Sequence, residues 1–293
     1  MKQRVVVVGA GGQLGRELLR TAGPQTQCHS LDRAQLDIGD PVAVAATLAS
    51  LQPQLVINAA AYTGVDTAES EPAAAFRVNA EGPRNIARWC AQQSVRLLHV
   101  STDFVFSGES SRPYTPDAAT GPLGEYGRSK LAGENAVREE LPTALILRTA
   151  WVYSRFGNNF VKTMLRLMSE RTSLSVVADQ TGTPTWARGL AEALWAAAQR
   201  PQLCGIYHWT DAGVCSWYDF AVAIAEEATT RGLLEAPARV QPIPASAYPT
   251  PARRPSYSVL DKSSSWQDLE LEAVHWRVQL RAMLDDVKES PNE

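Results

Sequence analysis

The sequence predicts an α/β protein built on a doubly wound parallel sheet, with a smaller, discontinuous lobe toward its C-terminal side. Three observations carry that prediction. Short β-branched runs alternate with helical patterns from residue 4 to residue 148. A glycine-rich turn follows the first of those runs. The rhythm then loosens after Thr149, where prolines begin to concentrate. Strand, helix and strand in repetition, with short links, means parallel strands joined by right-handed crossovers.

The elements follow in order. Arg4–Val8 is apolar, β-branched and too short for a helix, and Gln13–Arg20 has helical composition. Cys28–Leu31 is a second, weaker strand. Pro41–Leu51 is an Ala-rich helix with proline in its first turn. Leu55–Asn58 is a third strand, Ala73–Gln93 a long amphipathic helix and Arg96–Ser101 a fourth strand. The helix Tyr126–Glu140 leads to a fifth strand at Ala144–Arg148. Beyond it, Phe160–Glu170, Ala187–Gln199 and Trp217–Thr230 read as helices, and Leu174–Val177 and Gly205–Thr210 as strands. Pro237–Pro255 holds six of the chain's 18 prolines and must be largely extended or turned. The expected organisation is a dinucleotide-binding domain over 1–150, with 186–212 returning to it, and a substrate lobe over 151–185 and 213–293. The polar tail Lys288–Glu293 is expected to fray.

Composition narrows the function. A formal net charge of -3 without any block of like charges excludes a basic nucleic-acid footprint. No apolar run reaches the ~18 residues of a membrane span, and the N-terminal run is too short for a signal peptide. Cys28, Cys90, Cys204 and Cys215 form no CxxC and read as free thiols of a cytoplasmic protein. His29, His99, His208 and His275 lie far apart and make no metal-binding spacing.

The first strand runs into Gly9-Ala10-Gly11-Gly12-Gln13-Leu14-Gly15, with Gly9, Gly12 and Gly15 spaced as GxxGxxG. The first glycine permits the tight turn, the second leaves room for a pyrophosphate, and the third lets helix and strand pack closely. The pyrophosphate would sit on unpaired N–H groups at the helix N-terminus. Asp32, at the end of the second strand, can accept from the adenosine ribose hydroxyls, which favours NAD. The adjacent Arg33 could answer a 2′-phosphate, so the preference stays open between NADH and NADPH. Asp37 and Ile38 either flank the adenine or serve the cap of the next helix.

Tyr126 and Lys130 stand four apart at the start of a helix and so share one face. A free phenol titrates near ~10, and a nearby ammonium together with a positively charged nicotinamide would lower that value toward the range useful for a proton shuttle. Ser101-Thr102-Asp103 ends the fourth strand, where a doubly wound sheet binds its ligands. A hydroxyl there can bond to a substrate carbonyl or to Tyr126; the three residues are also common turn formers. Asn58-Ala59-Ala60-Ala61-Tyr62-Thr63 follows the third strand, with small residues that let backbone line a cofactor channel or pack closely on a helix.

Together these residues resemble the extended short-chain dehydrogenase/reductase family, and within it the dTDP-4-dehydrorhamnose reductase family. The resemblance covers nearly the whole chain. It is carried by GGQLGREL at Gly11–Leu18, NAAAYTGVDTAESEP at Asn58–Pro72, STDFVF at Ser101–Phe106 and YGRSKLAGE at Tyr126–Glu134. Segments more particular to this branch are RTAWVY at Arg148–Tyr153, NNFVKTML at Asn158–Leu165, DQTGTPT at Asp179–Thr185 and YPTPARRP at Tyr248–Pro255. The resemblance implies a Rossmann sheet and transfer of a hydride from NADPH or NADH to the 4-keto group of dTDP-4-dehydro-L-rhamnose. By position it implies cofactor contacts from Gly12, Gln13, Leu14, Asp32, Asp37, Ile38, Ala61, Tyr62 and Thr63. It implies that Tyr126 is the acid, partnered by Lys130 and tuned by Thr102. Thr102, Asp103 and Trp151 would contact the sugar, and Arg253 and Arg254 suit its diphosphate.

Two other readings stay open on the same residues. One is a 4-epimerase or dehydratase of this fold; a dehydratase usually adds an Asp-Glu pair after the threonine, and Phe104 after Thr102-Asp103 counts against it. The other is a non-catalytic subunit like the regulatory partner of methionine adenosyltransferase, against which Thr102, Tyr126 and Lys130 argue. Some members of the reductase family are dimers bridged by magnesium through clustered acids. Glu17 aligns with one such acid, and Arg188 with another. A guanidinium cannot ligate a hard cation. The expectation is therefore no bridging metal and a monomer or weak homodimer, with Glu17 left as a favourable acid near a helix N-terminus.

Overall fold

The computed structural model describes residues 2–272 and 274–289. Six strands form one parallel sheet: β1 (Gln3–Val8), β2 (Thr26–Leu31), β3 (Leu55–Asn58), β4 (Arg96–Thr102), β5 (Leu145–Thr149) and β6 (Gly205–His208). Their spatial order is β6-β5-β4-β3-β1-β2. The order reverses between β1 and β3, which opens a crevice at the carboxyl ends of those strands.

The sheet is covered on both faces, as a parallel sheet has to be. Side chains alternate along a strand. Val5 and Val7 therefore join Leu14, Leu18, Leu190 and Leu194 on one side, the last two from the helix Ala187–Ala198. Val6 and Val8 join Val44, Leu48, Ile86 and Trp89 on the other. Leu269, from the helix Ser263–Leu269, packs with the first set. A further core gathers Tyr153, Val161, Met164, Phe220, Ile224, Trp276 and Leu280. Two strands, Ser173–Val177 and Arg239–Ile243, run parallel beside it. Pro242 is tolerated there because the pair has no third strand to receive its missing N–H.

Several helix starts have local causes. Asp40 Oδ1 accepts from Val42 N at 2.9 Å and Ala43 N at 3.1 Å, and Pro41 opens the helix Pro41–Leu51. Asn159 caps Phe160–Glu170, and Ser216 with Asp219 forms a capping box at Trp217–Thr230. The long helix expected from Ala73 begins at Pro72 and runs to Gln93, but its turn Arg77–Glu81 has π geometry. Of the polar tail, Lys288 and Glu289 close the helix Trp276–Glu289. The expected fraying over 290–293 lies outside the described residues. Among the described residues, no helix is long and apolar enough to cross a membrane, and the four cysteines are free.

Candidate active site

At the carboxyl end of β1 the chain turns on Gly9 with a φ of 82°. A Cβ on Gly9 would lie 2.6 Å from Ala60 N, and one on Gly15 would lie 2.4 Å from the Gly9 carbonyl oxygen. Both obstacles are backbone, so neither can swing aside. Gly9 N donates to Leu31 O at 2.8 Å, and Gly12 N to Gly9 O at 3.1 Å, which closes the turn. Gly12 then begins the helix Gln13–Thr21 with no side-chain cap. The first-turn N–H groups at Gln13 and Leu14 are left for a ligand, the arrangement that suits a pyrophosphate.

Asp32 stands just past β2 and is half-buried. Its Oδ1 accepts from Ala34 N at 2.9 Å and Gln35 N at 3.0 Å, so one carboxylate oxygen belongs to the turn. Arg33 beside it is exposed. Asp37 pairs with Arg77 at 2.5 Å, and that guanidinium holds its carboxyl below the usual range. Asp40 rather than Asp37 caps the following helix. Ile38 is buried, and its carbonyl accepts from Asn85 Nδ2 at 2.9 Å.

After β3, Ala61 and Tyr62 are half-buried and Thr63 is exposed. Tyr62 N donates to Asn79 Oδ1 at 2.8 Å, and Asn79 Nδ2 donates to Tyr62 O and to Ser129 Oγ, each at 3.0 Å. Asn79 belongs to the π turn, so that irregular segment braces the loop after β3 against the Glu125–Glu140 helix.

The end of β4 is built from buried side chains. Thr102 Oγ1 donates to Asp103 Oδ1 at 3.0 Å and accepts from Phe104 N at 3.3 Å. Asp103 is 1% exposed, and its Oδ2 has no hydrogen-bond partner among the described residues. Burial pushes its carboxyl up to about 6, against the pull of the neighbouring Ser258 and Thr102 hydroxyls. The Glu125–Glu140 helix brings Tyr126 and Lys130 to the same end, with the Phe104 ring edge-on to Tyr126 at 5.4 Å. Lys130 Nζ donates to Val100 O at 2.7 Å. Burial lowers the Lys130 ammonium to about 8, with Glu134 working the other way.

Burial raises the Tyr126 phenol to about 12, the Asp103 charge adds to the rise, and the Thr102 hydrogen bond opposes it. The phenol is therefore fully protonated near neutral pH, which is the state a proton donor needs. The Thr102 hydroxyl lies within hydrogen-bond reach of Asp103 Oδ1 and also acts on the Tyr126 phenol, so it can serve either group.

On the far side of the site, Trp151 has a φ of 48°, a conformation that costs energy for a bulky residue. Its ring stacks on Trp217 with centroids 3.5 Å apart and planes 8° from parallel. Arg253 and Arg254 are not equivalent. Arg254 Nη2 donates to Asp66 Oδ2 at 2.7 Å, while Arg253 is exposed with no partner among the described residues.

The RmlD substrate binding domain family matches residues 3–289 of the chain. The chain belongs to that family. It is 41% identical to dTDP-4-dehydrorhamnose reductase of Escherichia coli (strain K12), covering 97% of each chain. It is 46% identical to that of Streptomyces griseus, over 95% of this chain and 92% of the relative. A solved dTDP-4-dehydrorhamnose reductase from Bacillus anthracis, in complex with NADP, superimposes with a TM-score of 0.91 at 35% identity, covering 98% of this chain and all of that one.

In this member of the RmlD substrate binding domain family, Glu17, expected as a favourable acid near a helix N-terminus, lies beyond the first turn of its helix. It is fully buried, and its Oε1 accepts from Ser154 Oγ at 2.8 Å and its Oε2 from Arg20 Nη1 at 3.3 Å. Burial raises its carboxyl. Arg188 pairs with Glu192 at 3.4 Å and lies over the Trp186 ring. Three residues of the site went unnoticed in the sequence: Asn79, Trp217 and Ser258. Helical spacing carries no sign of the π turn at Asn79, and Trp217 and Ser258 reach the site only through long-range folding.

Proposed function

We propose that this chain reduces the 4-keto group of dTDP-4-dehydro-L-rhamnose, with NADPH or NADH as hydride source and Tyr126 as proton donor. The observation that carries the reading is the convergence of Tyr126, Lys130 and Thr102-Asp103 at the carboxyl end of β4. The glycine turn lies at the same end of the sheet, with β3 between. The near-full-length relationship to reductases of this substrate supports the choice of sugar.

The residues present fit a dinucleotide. A side-chain-free turn leads into an uncapped helix start, and Gly9, Gly12, Gln13, Leu14 and Gly15 would hold the pyrophosphate. Asp32, Arg33, Asp37 and Ile38 would surround the adenosine, and Ala61, Tyr62 and Thr63 the middle of the cofactor. When bound, the reduced nicotinamide supplies the hydride. Lys130 would hold its ribose and oppose the negative charge left on Tyr126 after proton transfer. Thr102, placed beside Asp103, would donate to the Tyr126 oxygen and leave the phenol's own proton free for the carbonyl. Asp103 Oδ2 would accept from a sugar hydroxyl, Trp151 would wall the sugar ring, and Arg253 would meet the diphosphate, joined by Arg254 if phosphate displaces Asp66. The substrate lobe would comprise 151–185 and 213–293, with 186–212 serving the dinucleotide-binding domain of 1–150.

Tyr126→Phe removes only the hydroxyl. NAD(P)H oxidation with the keto sugar should fall at least about 100-fold in kcat, with cofactor affinity nearly unchanged. Turnover close to normal would overturn the mechanism. For assembly, we propose a monomer or weak homodimer without bridging magnesium, because the Arg188 guanidinium repels a cation and offers no ligand atom. Light scattering should give the same mass with magnesium and with chelator.

A further inference from the structure

Arg148 is among the largest fully buried side chains of the described residues. It forms an ion pair with Glu134, and the two side chains are 2% and 1% exposed. Arg148 Nε donates to Glu134 Oε1 at 2.9 Å and Nη2 to Oε2 at 2.7 Å, a bidentate fork. Nη1 donates to Pro116 O at 3.2 Å, and the guanidinium lies over the Phe106 ring. Both charges had to leave water, so a buried pair of this kind is weak evidence for stability as its purpose.

Its place in the fold points elsewhere. Glu134 is four residues beyond Lys130 and eight beyond Tyr126, so the three form one stripe along the helix. Arg148 is the register partner of Ser101, and its neighbour Thr149 that of Thr102. Lys130 reaches the backbone of Val100 on the same strand, β4. The fork thus ties the helix that carries the phenol to β5, beside the strand that carries Thr102. Glu134, on its own helix, favours the Lys130 ammonium; His99 on β4 is kept neutral by burial and by Lys130. His208 on β6 faces Arg148, with Nε2 3.5 Å from Nη1.

We infer that Glu134 and Arg148 are positioning residues for the reaction: they fix the helix register on β5 and stand a carboxylate behind Lys130. The inference rests on the roles given above to Tyr126 and Lys130.

Glu134→Gln alone would strand the Arg148 charge and can unfold the protein. The test is therefore the double variant E134Q/R148M, with R148K alongside it. The double variant should fold and bind NADH as the parent does. Its kcat should fall about 10- to 100-fold with little change in KM, as expected of a small misplacement. The alkaline limb of its kcat–pH profile should also move to lower pH, because Lys130 loses its carboxylate. R148K keeps the charge but loses the fork; its kcat should fall while the alkaline limb stays in place. A folded double variant with parental kcat and an unmoved limb would overturn the inference. If the double variant does not fold, parental kcat in R148K overturns it. Tyr126→Phe assayed in parallel separates the two readings. An active Tyr126→Phe removes the basis for both, whereas an inactive one beside a fully active double variant removes only this inference.

Discussion

The carboxyl ends of β1 and β4 lie in one sheet and would serve one reaction under the proposed function, but they are made of opposite materials. The β1 end is backbone: glycines, a bare helix start and no side-chain cap. The β4 end is side chains: a hydroxyl, a carboxylate, a phenol and an ammonium taken out of water, with their proton affinities displaced. A diphosphate keeps its charge near neutral pH, so fixed N–H dipoles suffice for it. A carbonyl gains charge only during the reaction, so its site needs groups that move a proton. The β1 end should therefore be sensitive to volume and indifferent to pH, and the β4 end the reverse.

The largest expected effect tests volume. In Gly15→Ala the new methyl meets the Gly9 carbonyl at 2.4 Å and Ala10 Cα at 2.6 Å. Overpacking against backbone should cost about 3 kcal/mol. That corresponds to a melting temperature lower by roughly 5 °C for a chain of 293 residues. ADP-ribose, which carries the diphosphate but no nicotinamide, should bind about 100-fold more weakly, because the displaced turn no longer presents its N–H groups to the phosphates. Calorimetry and titration read both numbers. An unchanged melting temperature with unchanged affinity would mean that the turn yields, and the contrast would fail on its volume side.

The next effect tests charge. Asp103 is raised to about 6 and Lys130 lowered to about 8, both first by burial. Between those values the carboxylate and the ammonium coexist, and kcat/KM, which reports the free enzyme, should peak there. It should fall toward tenfold per pH unit beyond either limb. Stability should move the other way. Asp103 favours the fold below its ordinary 3.8 and loses that contribution as pH rises through 6. Lys130 favours it above 10.5 and loses its contribution as pH falls through 8. Each charge costs the fold about 3 kcal/mol inside the active window. ADP-ribose affinity should stay level from pH 6 to 8. A kcat/KM profile that stays flat well beyond both limbs, from about pH 5 to about pH 9, would erase the distinction between the two ends.

The same division governs what could be read from sequence. The strand Leu55–Asn58 and the helices Pro41–Leu51, Phe160–Glu170 and Trp217–Thr230 have the bounds their patterns predict. Apolar period, proline and caps are local signals, and so is a glycine spacing. The pairing of Tyr126 with Lys130 was legible because four residues make one helical step. The direction in which Tyr126 titrates was not. It depends on Asp103, 23 positions earlier in the chain, and on burial that only the finished fold decides. Arg254 likewise carries no sign of Asp66, which lies far away in sequence. Glu134 could have been found, since it extends the Tyr126–Lys130 step by one more turn.

The smallest expected effect lies where a side chain enters the backbone-built end. Asp32 is half-buried and gives one carboxylate oxygen to its own turn; Arg33 is exposed beside it. A 2′-phosphate placed there would be repelled by the first and attracted by the second. Both charges border on water, where the high dielectric and salt reduce each interaction. The two contributions oppose each other and should nearly cancel. Both cofactors should therefore work, with a modest preference for NADH. The Bacillus anthracis relative holds NADP, so a phosphate is accommodated elsewhere in the family. Asp32→Ala should move the kcat/KM ratio toward NADPH, and Arg33→Ala toward NADH, each by roughly 3- to 10-fold. These are small beside the loss at Tyr126, because exposed charges are screened and buried ones are not. Steady-state assays with both cofactors settle the matter. A preference for NADPH above about 100-fold would mean that Asp32 does not face the ribose, and that the turn it holds is its whole role.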